Sequence, residues 1–160
     1  MSASSPTERG ARVSFPPPLV FVAGILLGVG FRYLVAPARA PIDPTLRLVA
    51  GLAVVALGVA VIVSARILFG RTGQDPAPWK PTPALVFAGP YRFTRNPMYL
   101  GATAIMLGLG VALNNLWISL FALPALGVVH FIAVLPEERY LSEKFGESYT
   151  QYLARVRRYL

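Results

Sequence analysis

The chain has 160 residues, of which 55% are hydrophobic and 14% are charged, with a net charge of +8. Its mean hydropathy of +0.57 is high for a water-soluble domain of this length. Because cysteine is absent and His130 is the only histidine, a disulfide framework, a cysteine nucleophile and a cysteine- or histidine-based metal site are excluded. The basic residues flank apolar runs, so they indicate membrane topology and contact with anionic lipid rather than nucleic-acid binding.

The first half of the chain predicts two membrane spans. Residues 1–15 are small, polar and mixed in charge, which predicts a disordered N-terminus. Residues 16–35 and 46–69 are apolar, and each has roughly the 20 residues needed to cross the hydrocarbon core. We interpret the first run as a retained span, because no small-residue cleavage site follows it closely. A proline-rich loop completes this region, 16–83.

The second half, 84–160, predicts a helical hairpin and an amphipathic tail. Residues 98–113 and 116–135 are apolar, and a polar Asn114-Asn115 pair separates them. From residue 136, apolar side chains recur every three or four residues among charged ones, which is typical of an amphipathic helix. The predicted fold is therefore all-α: an integral membrane bundle of about four spans, the last two a hairpin, with a C-terminal amphipathic helix.

The distribution of basic residues predicts the orientation. They concentrate before the first span, in the 70–97 loop and in the tail, whereas Arg39 and Arg47 lie at the other surface. The positive-inside rule then places the N-terminus, the loop and the tail on the cytoplasmic side of the cell inner membrane. A soluble cosubstrate could reach the polar segments there.

The segment 89–101 is rich in side chains that bind ligands. It contains Tyr91, Arg95, Asn96, Pro97 and Tyr99 at the point where a loop enters a membrane helix. A proline in the first helical turn leaves neighbouring N–H groups free, and these donors with Arg95 would stabilise an anionic group. The alternative is an interfacial loop that tyrosine and arginine anchor.

Glu137 and Glu138 follow the last apolar run. Acidic residues at the end of a span are costly unless they form ion pairs or bind a ligand. One could pair with Arg95 or Arg92, and the other could bind a cation. Alternatively, the two acids simply begin the amphipathic helix, since acids favour a helix N-terminus.

Two further features have a structural and a functional interpretation. Gly108 and Gly110 would permit close helix packing, or they would let a flat ligand approach the backbone. His130 precedes Glu137 by seven residues and is expected on nearly the same helical face. It would line a cavity or be a packed polar residue that a neighbour satisfies.

Together these motifs resemble the isoprenylcysteine carboxyl methyltransferases and the related phospholipid methyltransferases. The resemblance covers roughly residues 84–158. It is carried by three motifs in order, namely Arg95-Asn96-Pro97 with Tyr99, then Gly108-Leu109-Gly110, and finally Glu137-Glu138 with Leu141, Phe145-Gly146, Tyr149 and Tyr152.

The resemblance implies a membrane-embedded methyltransferase whose cofactor is S-adenosylmethionine, bound between the hairpin and the tail. Arg95, Pro97 and Tyr99 would border the cofactor, the glycine pair would make room for it, and Glu137 or Glu138 would hold its cationic end. Tyr91, Asn96 and His130 complete the predicted cofactor site, with Glu137, Glu138 and Arg95 as catalytic residues. Residues 84–160 would then form the methyltransferase core.

The acceptor is expected to be lipophilic, for instance an isoprenoid-type carboxylate or another amphiphile. Asn96 stands where the family often has histidine, and asparagine cannot titrate. A carboxylate acceptor needs no base, whereas an ammonium acceptor would need a glutamate or His130 to remove its proton. Two other functions stay open: a non-catalytic membrane scaffold of the same shape, and an NADPH-dependent sterol-type reductase, for which 160 residues are few.

Overall fold

The computed structural model describes residues 10, 11, 13, 15–73, 75 and 77–159. They form six α-helices: α1 (Pro17–Leu34), α2 (Pro44–Arg71), α3 (Pro97–Ala112), α4 (Leu116–Val129), α5 (Leu135–Phe145) and α6 (Glu147–Arg155). A 3-10 turn, Gly89–Arg92, precedes α3, and a π-helical turn, His130–Val134, joins α4 to α5. The described residues contain no strand, only one isolated β-bridge between Thr94 and Arg157. The all-α prediction is confirmed.

Three helical segments are long and apolar enough to cross a membrane: α1, α2 and the continuous rod Leu116–Phe145 that α4, the π turn and α5 form. The fourth apolar helix, α3, has 16 residues, which span about 24 Å at 1.5 Å per residue. That is shorter than the roughly 30 Å hydrocarbon core. The predicted membrane bundle is thus confirmed, with three long helices and one shorter arm in the hairpin.

Close packing places α3 between α2 and α4, while α1 packs on the outer side of α4. Gly51 and Gly58 of α2 face Gly108 and Gly101 of α3 respectively. A Cβ atom added at Gly108 would lie 2.6 Å from the carbonyl oxygen of Gly51, so only glycine allows this backbone approach.

Polar contacts fix the hairpin turn at the end of the bundle opposite the 89–97 segment. Asn114 adopts a positive φ of 50°, which asparagine tolerates better than most residues. The buried Asn115 donates from Nδ2 to the carbonyl of Gly28 on α1, at 3.0 Å. Arg47 and Arg32 donate to carbonyls at the carboxyl end of α3, where cations are favourable.

The tail differs from the single amphipathic helix that the periodicity predicts. The rod continues without interruption past residue 136 and ends at Gly146, whose φ of 52° separates α5 from α6. Glycine adopts this left-handed conformation without the steric cost that a side chain adds. Glu137 and Glu138 consequently lie within a continuous rod, which removes the interpretation that they only begin a separate helix.

The N-terminal segment was predicted to be disordered over residues 1–15, and residues 1–9, 12 and 14 lie outside the described part of the chain. Among the others, Ala11 is buried and its N–H donates to the carbonyl of Pro78 at 2.8 Å. This contact lays the chain before α1 against the loop that follows α2.

Candidate functional site

A cavity of about 500 Å³ lies at the end of the bundle opposite the hairpin turn. The start of α1, the end of α2, the 75–86 loop, the start of α3 and the two tail helices enclose it. This volume falls within the roughly 300–1,000 Å³ typical of small-molecule and cofactor sites. One wall is apolar and includes Phe21, Ile62 and Phe69, whereas the other carries Arg95 and Glu137.

Six of the ten residues predicted for the site line this cavity: Tyr91, Arg95, Asn96, Pro97, Tyr99 and Glu137. The first five enter from the 3-10 turn and the start of α3, and Glu137 enters from α5. The packing of the rod beside α3 therefore brings together two segments that are remote along the chain. The roles assigned to these residues stay predictions.

Glu138 lies beside the cavity and is held by two arginines. Its Oε1 atom is 2.9 Å from Nη1 of Arg95, and its Oε2 atom is 2.7 Å from Nη2 of Arg158. Nε of Arg158 donates to Oε1 at 3.0 Å, so Arg158 binds this carboxylate through two nitrogens. The hydrogen bonds to Glu138 raise the pKa of the Arg158 guanidinium. The charge of Glu138 is thus already balanced by the protein.

Glu137 has a different environment from its neighbour. Its carboxyl group lines the cavity beside Tyr99. None of the described cations lies within ion-pair distance of it. A carboxylate at the wall of a cavity without a protein cation is suited to bind a cationic ligand.

The guanidinium of Arg95 is oriented from two sides. Glu138 holds Nη1, and Tyr149 of α6 lies close to the guanidinium. Its Nε atom is buried and has no hydrogen-bond partner among the described residues. Because a buried N–H without an acceptor is unfavourable, this N–H is suited to donate a hydrogen bond to a ligand oxygen.

Tyrosines of α6 close the cavity from the tail side. The Tyr152 hydroxyl donates to the carbonyl oxygen of Tyr91 at 2.8 Å, which ties α6 to the 3-10 turn. Burial raises the pKa of Tyr152 to about 12, although the nearby charge of Arg95 opposes the shift. Burial also raises the pKa of Tyr149. Both phenols therefore stay neutral at physiological pH and act as hydrogen-bonding groups rather than as bases.

Asn96 has a structural contact that the sequence did not reveal. Its buried amide donates from Nδ2 to the carbonyl oxygen of Arg158 at 3.0 Å, and its backbone N–H donates to Oγ1 of Thr94 at 3.2 Å. The side chain thus anchors the end of the tail at the cavity wall. An amide performs this task without carrying a titratable proton.

Three predicted residues do not lie at the cavity. Gly108 packs against Gly51 and Val55 of α2, and Gly110 packs against Ser119 of α4. The expectation that the glycine pair makes room for a ligand does not match these positions, whereas the helix-packing interpretation does.

His130 is also outside the cavity, where its Nδ1 atom is 2.9 Å from the Tyr159 hydroxyl. The predicted shared face with Glu137 assumes an unbroken α-helix, whereas the π turn His130–Val134 lies between the two residues. A π turn holds about one residue more than an α turn, so a spacing of seven no longer returns to the same face.

Several cavity residues were missed or were given only a topological meaning from the sequence. Arg66 and Trp79 line the cavity from the end of α2 and from the loop after it. Arg158 belongs to a run of tail arginines that the sequence indicated only as a topology signal. The one available hint was its position directly after an amphipathic helix that carries the Tyr149 and Tyr152 motif.

These features define a class of protein: an α-helical integral membrane protein with a small-molecule cavity at one end of its bundle. The sequence model of the phospholipid methyltransferase family matches residues 46–148, from α2 into α6. The chain belongs to this family, which indicates a membrane methyltransferase. A search of curated proteins finds no match to the chain.

Proposed function

We propose that this protein transfers a methyl group from S-adenosylmethionine to a lipophilic acceptor, and that the cavity beside Glu137 is the active site. The observation that carries the proposal is the contrast between two adjacent acids. Two arginines neutralise Glu138, whereas Glu137 lines the cavity with no cation of the described residues within ion-pair distance.

The side chains at the cavity fit the chemical groups of this cofactor. Glu137 would hold the ammonium or sulfonium cation, and the faces of Tyr91 and Tyr99 would add cation–π attraction. Arg95, whose Nε atom lacks an acceptor, would bind the carboxylate. When bound, the cofactor supplies an electrophilic methyl group. The protein aligns the acceptor with it and excludes water.

The acceptor would enter along the apolar wall formed by Phe21, Ile62 and Phe69. We propose an acceptor carboxylate of an isoprenoid-type or similar amphiphile, because methylation of a carboxylate requires no proton removal. Asn96 has no titratable proton, and His130 is bonded to Tyr159 away from the cavity. An amine acceptor would leave Glu137 to act both as cation ligand and as base.

The test is binding of S-adenosylhomocysteine to the full chain, purified in detergent or nanodiscs. A ligand at a hundred times its dissociation constant stabilises the folded state by about 2.7 kcal/mol. We expect the unfolding midpoint to rise by several degrees, and Glu137→Ala or Arg95→Ala to remove most of that rise. NADPH should have no effect. If only NADPH shifts the midpoint, the result supports the reductase interpretation. If neither ligand shifts it, the result supports the non-catalytic scaffold interpretation.

Methyl transfer and orientation need separate measurements. Incubation of the protein with labelled cofactor and a membrane lipid extract should yield a labelled, alkali-sensitive ester, since carboxyl methyl esters hydrolyse in base. A base-stable labelled amine would contradict the carboxylate proposal.

For orientation, we propose that the cavity faces the cytoplasm. Because the chain contains no cysteine, the single substitutions Arg155→Cys and Arg39→Cys can be labelled specifically. We expect them to be labelled from opposite sides of the inner membrane.

A further inference from the structure

The C-terminal strap, residues 156–159, passes beside the segment that opens α3. Val156 is extended and ends α6. The backbone N–H of Arg95 donates to the carbonyl of Arg157 at 3.0 Å, next to the β-bridge between Thr94 and Arg157. The strap is therefore paired with the cavity wall through its backbone.

Two side chains of the same wall hold the next peptide group of the strap. Oγ1 of Thr94 and Nδ2 of Asn96 both donate to the carbonyl oxygen of Arg158, each at 3.0 Å. The following residue, Tyr159, contacts His130 of the π turn. Arg158 is thus fixed on both sides, and its side chain points to the carboxylate of Glu138.

The result is a row of three charges, Arg158, Glu138 and Arg95, of which only Arg95 lines the main cavity. Arg158 takes both oxygens of Glu138, which leaves Oε1 shared with a single nitrogen of Arg95. Without Arg158, the carboxylate would be free to bind Arg95 through two nitrogens and draw its guanidinium out of the cavity. The row would also lose its net positive charge and attract an anionic ligand group less strongly.

We infer that Arg158 is a positioning residue that acts through Glu138 to keep the Arg95 guanidinium directed at the carboxylate of the bound cofactor. This inference rests on the proposed function, since it assigns Arg95 a ligand. It gives residues 156–159 a role in the site: the strap delivers a second cation to Glu138, in addition to Arg95 of the cavity wall.

The test is the affinity for S-adenosylhomocysteine, measured by titration on the full chain. We expect Arg158→Gln to weaken binding about tenfold to a hundredfold, which is the range for losing a hydrogen bond to a charged ligand group. Arg158→Lys should recover part of the affinity, because it keeps the charge but cannot bind two oxygens in the same plane. Arg155→Gln, an equal loss of charge at an exposed position on α6, is the control and should bind as the wild type does.

A double-mutant cycle separates positioning from a general loss of charge or structure. If Arg158 acts through Glu138, then Arg158→Gln should cause little further loss in a Glu138→Gln background. Additive losses would overturn the inference, as would wild-type affinity in Arg158→Gln. If Arg158→Gln does not fold, the affinity of Arg158→Lys is compared with that of the wild type instead. Unchanged affinity in Arg158→Lys would overturn the inference that Arg158 must bind Glu138 through two nitrogens. Failure of the wild type to bind would instead refute the proposed function.

Discussion

Neutralising Glu137 or Glu138 should have opposite effects on stability, although the two acids are adjacent. Glu137→Gln removes a charge that pairs with none of the described cations, and the new side chain keeps an oxygen that can accept from the nearby Tyr99 hydroxyl. We expect the free energy of unfolding without ligand to rise by about 1 kcal/mol, because the cost of burying an unpaired charge disappears. The same change should weaken S-adenosylhomocysteine binding about tenfold to a hundredfold, given about 1.5–3 kcal/mol for a hydrogen bond to a charged group.

Glu138→Gln should destabilise the protein instead. Arg95 and Glu138 are only 13% and 14% exposed at their side chains, whereas Arg158 is 38% exposed. Breaking a fully buried ion pair costs about 3–5 kcal/mol. Because water screens Arg158, we expect a loss of about 2–3 kcal/mol.

The assay is an unfolding curve of the full chain in one detergent, with and without ligand, for the wild type and both variants. Glu143→Gln is the control, since this exposed residue lies on the same helix, α5. Its midpoint and its ligand affinity should match the wild type. The reasoning is refuted if Glu137→Gln is as destabilising as Glu138→Gln, or if it binds the ligand with unchanged affinity.

Three other substitutions test the assignments away from the two acids. Gly108→Val should destabilise the bundle by at least about 1–3 kcal/mol through overpacking against α2. Gly127→Ala meets open space and should keep or slightly raise the midpoint, because alanine favours the helix. Asn115→Ala should cost about 1–3 kcal/mol by leaving the Gly28 carbonyl without its donor, as a thermal melt would show. His130→Phe removes the contact with Tyr159 that helps to hold the strap, so it should weaken ligand affinity in a titration by less than Arg158→Gln does; a loss as large as that of Glu137→Ala would return His130 to the site.

The architecture could be predicted from the sequence because membrane insertion depends on local composition. Long apolar runs must form helices in lipid, where every backbone polar group needs an internal partner. The same reasoning located the hairpin at Asn114-Asn115, since two polar residues between apolar arms favour a turn at the surface. It also found six of the residues that line the cavity, because side chains such as Tyr91, Arg95 and Tyr99 are unusual at the entry to a membrane helix.

The assignments that did not match the structure required knowledge of neighbours. Helical periodicity assumes one helix type, so it could not anticipate the π turn that moves His130 away from Glu137. The sequence around Gly108 and Gly110 does not distinguish a ligand contact from a helix-packing contact. Only the position of α2 against α3 shows that Gly108 packs against a helix.

The sequence by itself determined that this chain is a helical membrane protein and which segments carry its polar chemistry, because hydropathy and charge act over a few neighbouring residues. Only the tertiary structure decided how the two glutamates divide their roles. Arg95 and Arg158 come from different parts of the chain and both meet Glu138, whereas Glu137 lines the cavity without an ion pair to any residue that the structure describes. The division depends on distances of a few ångströms between remote residues, which local sequence patterns do not specify.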